Sequence, residues 1–376
     1  MKFKPKKKPS IVELFSGVGG FSLGVARAGF SLVGAIDNDS RAMAAHSCNF
    51  PGSKHWITDI SNITGDDIVA RFKVPTGIIG GPPCQGFSYI GKNDDLDTRN
   101  KLFVDFFRIV KECSPVFFLA ENVPGILGAK YNDIREKAFS HVAEEYIMMP
   151  PMKFTASDYG APTSRTRVFF FGYLRGGMRD LKPADFDPTD NIEFVKVKDA
   201  LKGLPRKIDP DRTSINGGWM KVGISFNGSF GARLNGNIPI GVGEKDAINA
   251  LKNNALVSGC LGTHHSKKVA RRYSAIKPGK SDSISKSRRL EATGFCPTLR
   301  AGTGSERGSY QAVRPLHPTE NRVITPREAA RLQGFPDWFQ FDTTIWHSFR
   351  QIGNSVSPIL AEHLLSVINK ALINKE

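Results

Sequence analysis

The run Gly80-Gly81-Pro82-Pro83-Cys84-Gln85-Gly86-Phe87-Ser88 sets one thiol at the edge of a stiff turn. Paired glycines let another backbone or a ligand approach closely, while paired prolines fix φ and remove two backbone donors. Cys84 is therefore a candidate nucleophile, with a buried structural cysteine as the competing reading. Glu121 follows the apolar run Val116–Ala120. A carboxyl at the tip of a buried strand is poorly solvated, so its pKa should rise toward the range useful for proton donation. Simple capping of loop amides by Glu121 and Asn122 is the alternative. Arg165 and Arg167, two apart before the run Val168–Tyr173, should point the same way and clamp an oxyanion or carbonyl. Their alternative is a surface salt-bridge pair.

Groups so far apart in sequence can meet only if strands carry them to one place. Over residues 1–175, short apolar runs alternate with amphipathic stretches, which is the pattern of an α/β fold with a mostly parallel sheet and crossover helices. Strands are predicted at Ser10–Phe15, Leu32–Ile36, Thr76–Gly80, Val116–Ala120 and Arg167–Tyr173, and helices at Phe21–Ala28, Ser40–Asn49 and Lys101–Glu112. Thiol, acid and arginines then lie at successive strand ends on one sheet edge, where α/β folds gather their chemistry. From residue 176 turn signals crowd together, predicting a smaller, irregular strand-and-loop domain over 176–335. A helical pattern returns at Ser357–Leu372, so that 336–376 rejoins 1–175.

A second constellation lies at the front of the sheet. Glu13-Leu14-Phe15-Ser16-Gly17-Val18-Gly19-Gly20 runs from a strand through a small-residue turn into a helix, where orphan N–H groups point outward. Asp37 follows Gly17 by twenty residues, the place from which a carboxylate holds ribose hydroxyls. Asp59 closes a possible third strand and could accept from an adenine amino group. The glycine spacing is not that of dinucleotide binders, which disfavours a nicotinamide dehydrogenase. An adenosine-bearing ligand is the reading; a purely structural turn is its rival.

The 376-residue chain carries a net charge of +16. Residues 1–10 hold five lysines, and 261–290 hold nine Lys/Arg against Asp282 alone. The two stretches supply 13 of the 16 excess charges. A polyanionic partner follows, since clustered cations gain by releasing counterions from phosphates; a solvated basic face is the alternative. Five cysteines without a C-x-x-C pair predict reduced thiols rather than disulfides or zinc. His264-His265 has no matching pair at ligand spacing, so no metal is expected. No apolar run approaches a spanning length and no signal pattern opens the chain, which predicts a cytoplasmic protein without a membrane.

Taken together, Glu13–Gly20, Gly81–Ser88, Glu121-Asn122-Val123, Arg165-x-Arg167, Thr325–Pro336 and Gln351–Val356 resemble the DNA (cytosine-5)-methyltransferases in their usual block order. The resemblance implies a Rossmann-like S-adenosylmethionine-dependent sheet, with 176–335 as the target recognition domain on double-stranded DNA. It implies Cys84 as nucleophile toward C6 of a flipped cytosine, Glu121 at N3, and Arg167 at O2 with Arg165 in support. Cofactor contacts would fall on Phe15, Gly17, Gly19, Gly20, Asp37, Asp59, Gly81, Pro83, Asn354, Ser355 and Val356. Ser88, Lys267, Lys268, Arg271 and Arg272 would contact DNA, and Gly86–Asn100 would form a closing loop. A bacterial restriction–modification role is implied, with a separately acting cognate endonuclease and a monomeric enzyme. An RNA cytosine methyltransferase and an inactive DNA-binding regulator are the alternatives. Thr163 departs from the family, which usually has Gln there, so a local hydrogen bond should change while the chemistry stays.

Overall fold

The computed structural model describes residues 8–83, 98–211, 216–223, 229–302 and 313–373. Its centre is an eight-stranded sheet. Strands β1 (Ser10–Leu14), β2 (Ser31–Asp37), β3 (Lys54–Ile57), β4 (Gly77–Gly80) and β5 (Phe117–Asn122) are parallel. The sheet order is β3-β2-β1-β4-β5, after which β8 (Thr166–Leu174) adds antiparallel to β5. Two short strands, β6 (Tyr146–Met148) and β7 (Met152–Thr155), pair with opposite ends of β8. The predicted β8 is present, but sequence periodicity gave neither its antiparallel direction nor β6 and β7. Strand order reverses between β1 and β4, and their C-terminal ends open the crevice where α/β folds bind ligands.

Both faces of the sheet are covered, which is why its strands read as continuous apolar runs. Residues of β5 and β8 alternate between two cores: Phe117, Leu119, Phe169 and Phe171 enter one, Phe118, Ala120, Val168 and Phe170 the other. The second core is filled by α4 (Thr98–Cys113), through Phe103, Phe106 and Phe107, together with α3 (Gly65–Phe72) and α5 (Asn132–Phe139). On the first face, α1 (Gly20–Arg27) and α2 (Ser40–Asn49) are joined from the far end of the chain by α12 (Pro358–Ile373). A Cβ on Gly24 of α1 would lie 2.4 Å from the Ala361 Cβ, so a glycine is needed for the two helices to touch.

Residues 176–335 hold short helices: α6 (Val197–Ala200), α7 (Ser229–Asn235), α8 (Lys245–Asn254), α9 (Lys267–Ser274) and α10 (Pro326–Gln333). The strand pair β9 (Met220–Lys221) and β10 (Leu256–Val257) is only two residues long. Among the described residues this region is thus helix and loop more than the expected strand and loop. Its apolar side chains, such as Val197, Leu251 and Leu299, belong to the same core as one face of the sheet. Sequence chemistry sets the limits of α10: Thr325 and Glu328 form a capping box, Pro326 starts the helix, and Gly334 ends it at φ 94°. After it comes α11 (Ile345–Asn354). Taken together, α11 and α12 (Ile345–Ile373) are long and apolar enough to cross a membrane by length and composition alone. Their apolar residues, Ile352, Leu360, Leu364 and Ile368 among them, are instead part of the protein core.

Candidate functional site

The turn after β1 is shaped for close contact. Phe15, Gly17 and Gly19 have φ of 56°, 52° and 99°, so three residues of five take the left-handed conformation. A Cβ at Gly19 would meet the Phe50 ring at 2.4 Å, and one at Gly20 would meet the Val356 carbonyl oxygen at 2.4 Å. Gly17 differs: no atom lies within 4 Å of where its Cβ would be, so its backbone faces open space. Asp37, at the end of β2, accepts from Gly17 N at 2.8 Å and from Asp39 N at 2.8 Å. Burial pushes the pKa of Asp37 up, against the pull of these N–H groups. Asp59 sits past the end of β3, where Ser61 donates to it from N and Oγ. Those bonds hold its pKa down. Ser355 and Val356 close the back of Gly20, and Gln333 fixes that segment by donating to the Ser355 carbonyl at 2.9 Å. Asn354 is exposed beside them.

Underneath this turn lies a buried polar chain that the sequence reading missed. Glu13 accepts from Ser22 Oγ, which is 2.9 Å from His46 Nε2; His46 Nδ1 is 2.8 Å from His55 Nε2. Burial raises the Glu13 pKa to about 8, partly countered by Ser22 and helped by Asp37. Burial, then the neighbouring His55, pushes His46 well below its ordinary value. An acidic residue inside an otherwise apolar strand, Ile11-Val12-Glu13-Leu14, was the signal available.

On the other side of the switch point, Gly80 pairs with Leu14, so the Gly-Pro-Pro segment leaves the strand next to the glycine turn, ~5 Å away. Cys84 and Ser88 lie outside the described residues, as do Gln85 to Asp97. What surrounds their approach is described. Glu121 pairs in register with Phe169, so Arg167, two residues away on β8, is its diagonal neighbour on the same face. Arg167 Nε lies 2.7 Å from Glu121 Oε1, both side chains being largely buried. A Cβ at Gly81 would lie 3.2 Å from Glu121 Oε2, which brings the turn against the carboxylate. Asn122 takes the structural part: its Nδ2 donates to the Pro82 carbonyl at 3.3 Å and its Oδ1 accepts from Val123 N. The pair of arginines divides its work. Arg167 meets Glu121, whereas buried Arg165 donates to the Leu299 carbonyl at 3.2 Å, reaching into the smaller region. Thr163 donates to the Cys296 carbonyl at 3.0 Å, another tie to that region.

Four of the residues expected to contact DNA lie on α9. Lys267, Lys268, Arg271 and Arg272 line an open depression of about 380 Å³. Arg272 is nevertheless committed elsewhere: it grips buried Asp282 through Nε at 2.7 Å and Nη2 at 3.1 Å. Buried Cys113, Cys260 and Cys296 have thiols pushed up to about 12, chiefly by burial, which makes them inert. Among the described residues no cluster of three His, Cys, Asp or Glu is placed to hold a metal.

The chain matches the family described as C-5 cytosine-specific DNA methylase over residues 10–370. It is 37% identical over 383 residues to the type II methyltransferase M.XorII of Xanthomonas oryzae pv. oryzae, covering 98% of this chain and 86% of that one. M.DdeI of Desulfomicrobium norvegicum is 32% identical, with 96% and 88% covered. Among solved structures, an E. coli prophage protein described as a DNA modification methyltransferase superposes with TM-score 0.87 at 48% identity, covering 97% of this chain and 100% of that one. Dnmt2 of S. pombe shares the fold, at TM-score 0.63 and 18% identity, over 96% and 99% of the two chains.

Proposed function

From the chain's membership of the C-5 cytosine-specific DNA methylase family, we propose that it methylates C5 of a flipped cytosine within a specific double-stranded sequence, through a covalent Cys84–C6 bond. The observation that carries this reading is the Glu121–Arg167 pair beside the Gly81–Pro83 turn: a carboxylate and a guanidinium held on adjacent strands next to the segment that delivers the thiol. The residues at the β1, β2 and β3 ends fit a nucleoside-bearing cofactor, with open space over Gly17 flanked by Asp37 and Asp59. Asp37 would hold the ribose and Asp59 the adenine amino group, with Phe15, Gly19, Gly20, Gly81, Pro83, Asn354, Ser355 and Val356 around them. S-adenosylmethionine supplies, when bound there, an electrophilic methyl group.

The chain's own residues then have separable tasks. A cytosine must leave the stack for its C5 and C6 to be reached. The Cys84 thiolate forms a bond to C6 while Glu121 donates a proton to N3, so the electron pair displaced from the C5–C6 double bond becomes available at C5. Arg167 holds O2 and, being fixed by Glu121, keeps the ring at one angle. After C5 gains its methyl, the C5 proton goes to a base and the C6–S bond breaks, returning the thiolate and the double bond, while N3 gives its proton back to Glu121. Arg165 acts through Leu299, joining the substrate end of β8 to the recognition region. Lys267, Lys268 and Arg271 meet backbone phosphates, which positions the duplex without choosing a sequence; Ser88 would touch DNA from the loop after Cys84. Protection of DNA from a cognate endonuclease, by a monomer in a bacterial cytoplasm, is the setting this reading implies.

Purified protein with labelled S-adenosylmethionine and duplex DNA tests it. Methyl transfer to cytosine is expected, with loss of transfer in Cys84→Ser and a trapped covalent complex on duplexes bearing 5-fluorocytosine. Transfer to RNA alone, or equal activity in Cys84→Ser, would refute it.

A further inference from the structure

The recognition region carries one apolar side chain in a setting that solubility does not explain. Ile284 is 65% exposed at the tip of a hairpin closed by the Ser281–Arg288 bridge. That tip is held with unusual firmness. Asp282 N donates to the Ser287 carbonyl at 2.9 Å, and Lys286 N donates to the Asp282 carbonyl at 3.0 Å. The Asp282 carboxylate accepts from Ser285 N at 2.7 Å, while Arg272 clamps it from α9. Lys286 adopts φ 59° and its ammonium folds back onto the Ser283 carbonyl at 2.8 Å. At the base of the hairpin, buried Arg289 donates to the carbonyls of Tyr273, Ile276, His317 and Glu320. Holding a non-glycine residue in the left-handed region costs about 1 kcal/mol or more and persists where neighbours over-determine it.

The place of this tip is equally specific. Lys280, Lys286 and Arg288 are exposed around it; of the two acids nearby, Asp282 is buried and paired with Arg272, and exposed Glu291 pairs with Arg288 at 3.3 Å. From Arg289 the chain runs on to the catalytic sheet, where Cys296 N donates to the Pro162 carbonyl and the Leu299 carbonyl meets Arg165. The hairpin is thus braced, through one continuous segment, against the strand that carries Arg167. Ile240, more exposed at 97%, has no such setting: its loop has no Lys or Arg from 236 to 243. That loop is pinned to Asn49 at the end of α2, on the sheet edge away from the strand tips.

We infer that the 281–288 hairpin is a base-reading finger whose Ile284 side chain meets a thymine 5-methyl group in the major groove of the recognition sequence. This rests on the DNA methyltransferase reading and adds a specificity residue to it. The floor of the major groove presents donors, acceptors and a single apolar feature, the thymine methyl. An apolar tip gains there and nowhere else on the groove floor, and a rigid one loses little entropy on docking. Exposed Lys280 and Lys286 supply the phosphate contacts beside it.

The recognition sequence is first obtained by base-resolution mapping of DNA methylated by the wild-type protein. Each thymine of that sequence is then replaced by deoxyuridine, which lacks only the methyl group. One replacement is expected to weaken wild-type binding about fourfold. Ile284→Ala is expected to bind the thymine duplex about fourfold more weakly, to be indifferent to that same replacement, and to methylate a motif relaxed at that position. Ile284→Ala has a solvent-facing change and should keep the wild-type melting temperature, which the same samples report. A recognition sequence without thymine, unaltered binding by Ile284→Ala, or deoxyuridine effects that persist in the variant would each overturn the inference while leaving methylation intact. Absence of cytosine methylation by the wild-type protein would instead overturn the reading on which it rests.

Discussion

Two regions of this molecule hold arginines beside carboxylates, and they do so by different means. In the sheet, Arg167 meets Glu121 because strand register puts diagonal neighbours on one face. Both residues stand at the sheet edge where the switch-point crevice opens. In the smaller region Arg272 meets Asp282, and Arg289 gathers four main-chain carbonyls, with no ladder to align them. Here the side chains supply the order that a sheet would have supplied through its backbone. The same holds at α10, where buried Arg327 donates to the carbonyls of Ser258, Pro336 and Phe339, and Arg331 grips Asp337. Positive charge in a loop-rich domain therefore has two destinations, the partner and the interior. Of the nine cations in 261–290, Arg272 and Arg289 are braces rather than DNA-facing charges.

The sharpest way to break this comparison is to remove a brace. Arg289→Met leaves the acceptors it served without a donor in a buried site and is expected to cost about 3 kcal/mol. Lower thermal stability with sheet-centred near-ultraviolet signals preserved until the main transition would support it; an unchanged melting temperature would mean the hairpin stands without its anchor. A smaller effect separates phosphate-binding cations from braces. Neutralising Lys267, Lys268 and Arg271 to Gln should lower the slope of log binding against log salt by roughly 0.9 for each phosphate left unneutralised. Arg272→Gln should change stability more than that slope. Equal slope changes for all four would return Arg272 to the DNA face.

The smallest expected effect concerns the acid within β1. Glu13 has a folded pKa near 8 against an unfolded value of 4.5, so the native state binds the extra proton between them. Stability then falls as pH rises through that interval and levels off above about 8. His46, held neutral, has the opposite sign and costs stability only below about 6.5. Between pH 6.5 and 8 the Glu13 contribution stands apart, on the order of 2 kcal/mol. Glu13→Gln should remove most of that slope in melting temperature; a slope unchanged in the variant would place the titrating group elsewhere.

Local residue patterns laid down the frame. Short apolar runs and turn chemistry located β1, β2, β4, β5 and β8 within two residues at each end, and α2 at its observed limits. Small residues at 17, 19 and 20, a carboxylate twenty positions on, and the family blocks pointed to the cofactor edge and the catalytic candidates. These are local signals, readable because strand period, helix caps and left-handed turns are set by neighbours in the chain. What depends on distant partners emerged from the folded structure. It showed that Arg165 reaches Leu299 while Arg167 reaches Glu121, that Asn122 supports Pro82, and that Glu13 is joined to His46. It also divided the basic cluster into cations that face solvent and cations that hold loops together. Charge and residue type are properties of a position in the chain, whereas burial and pairing are properties of what the fold brings beside it.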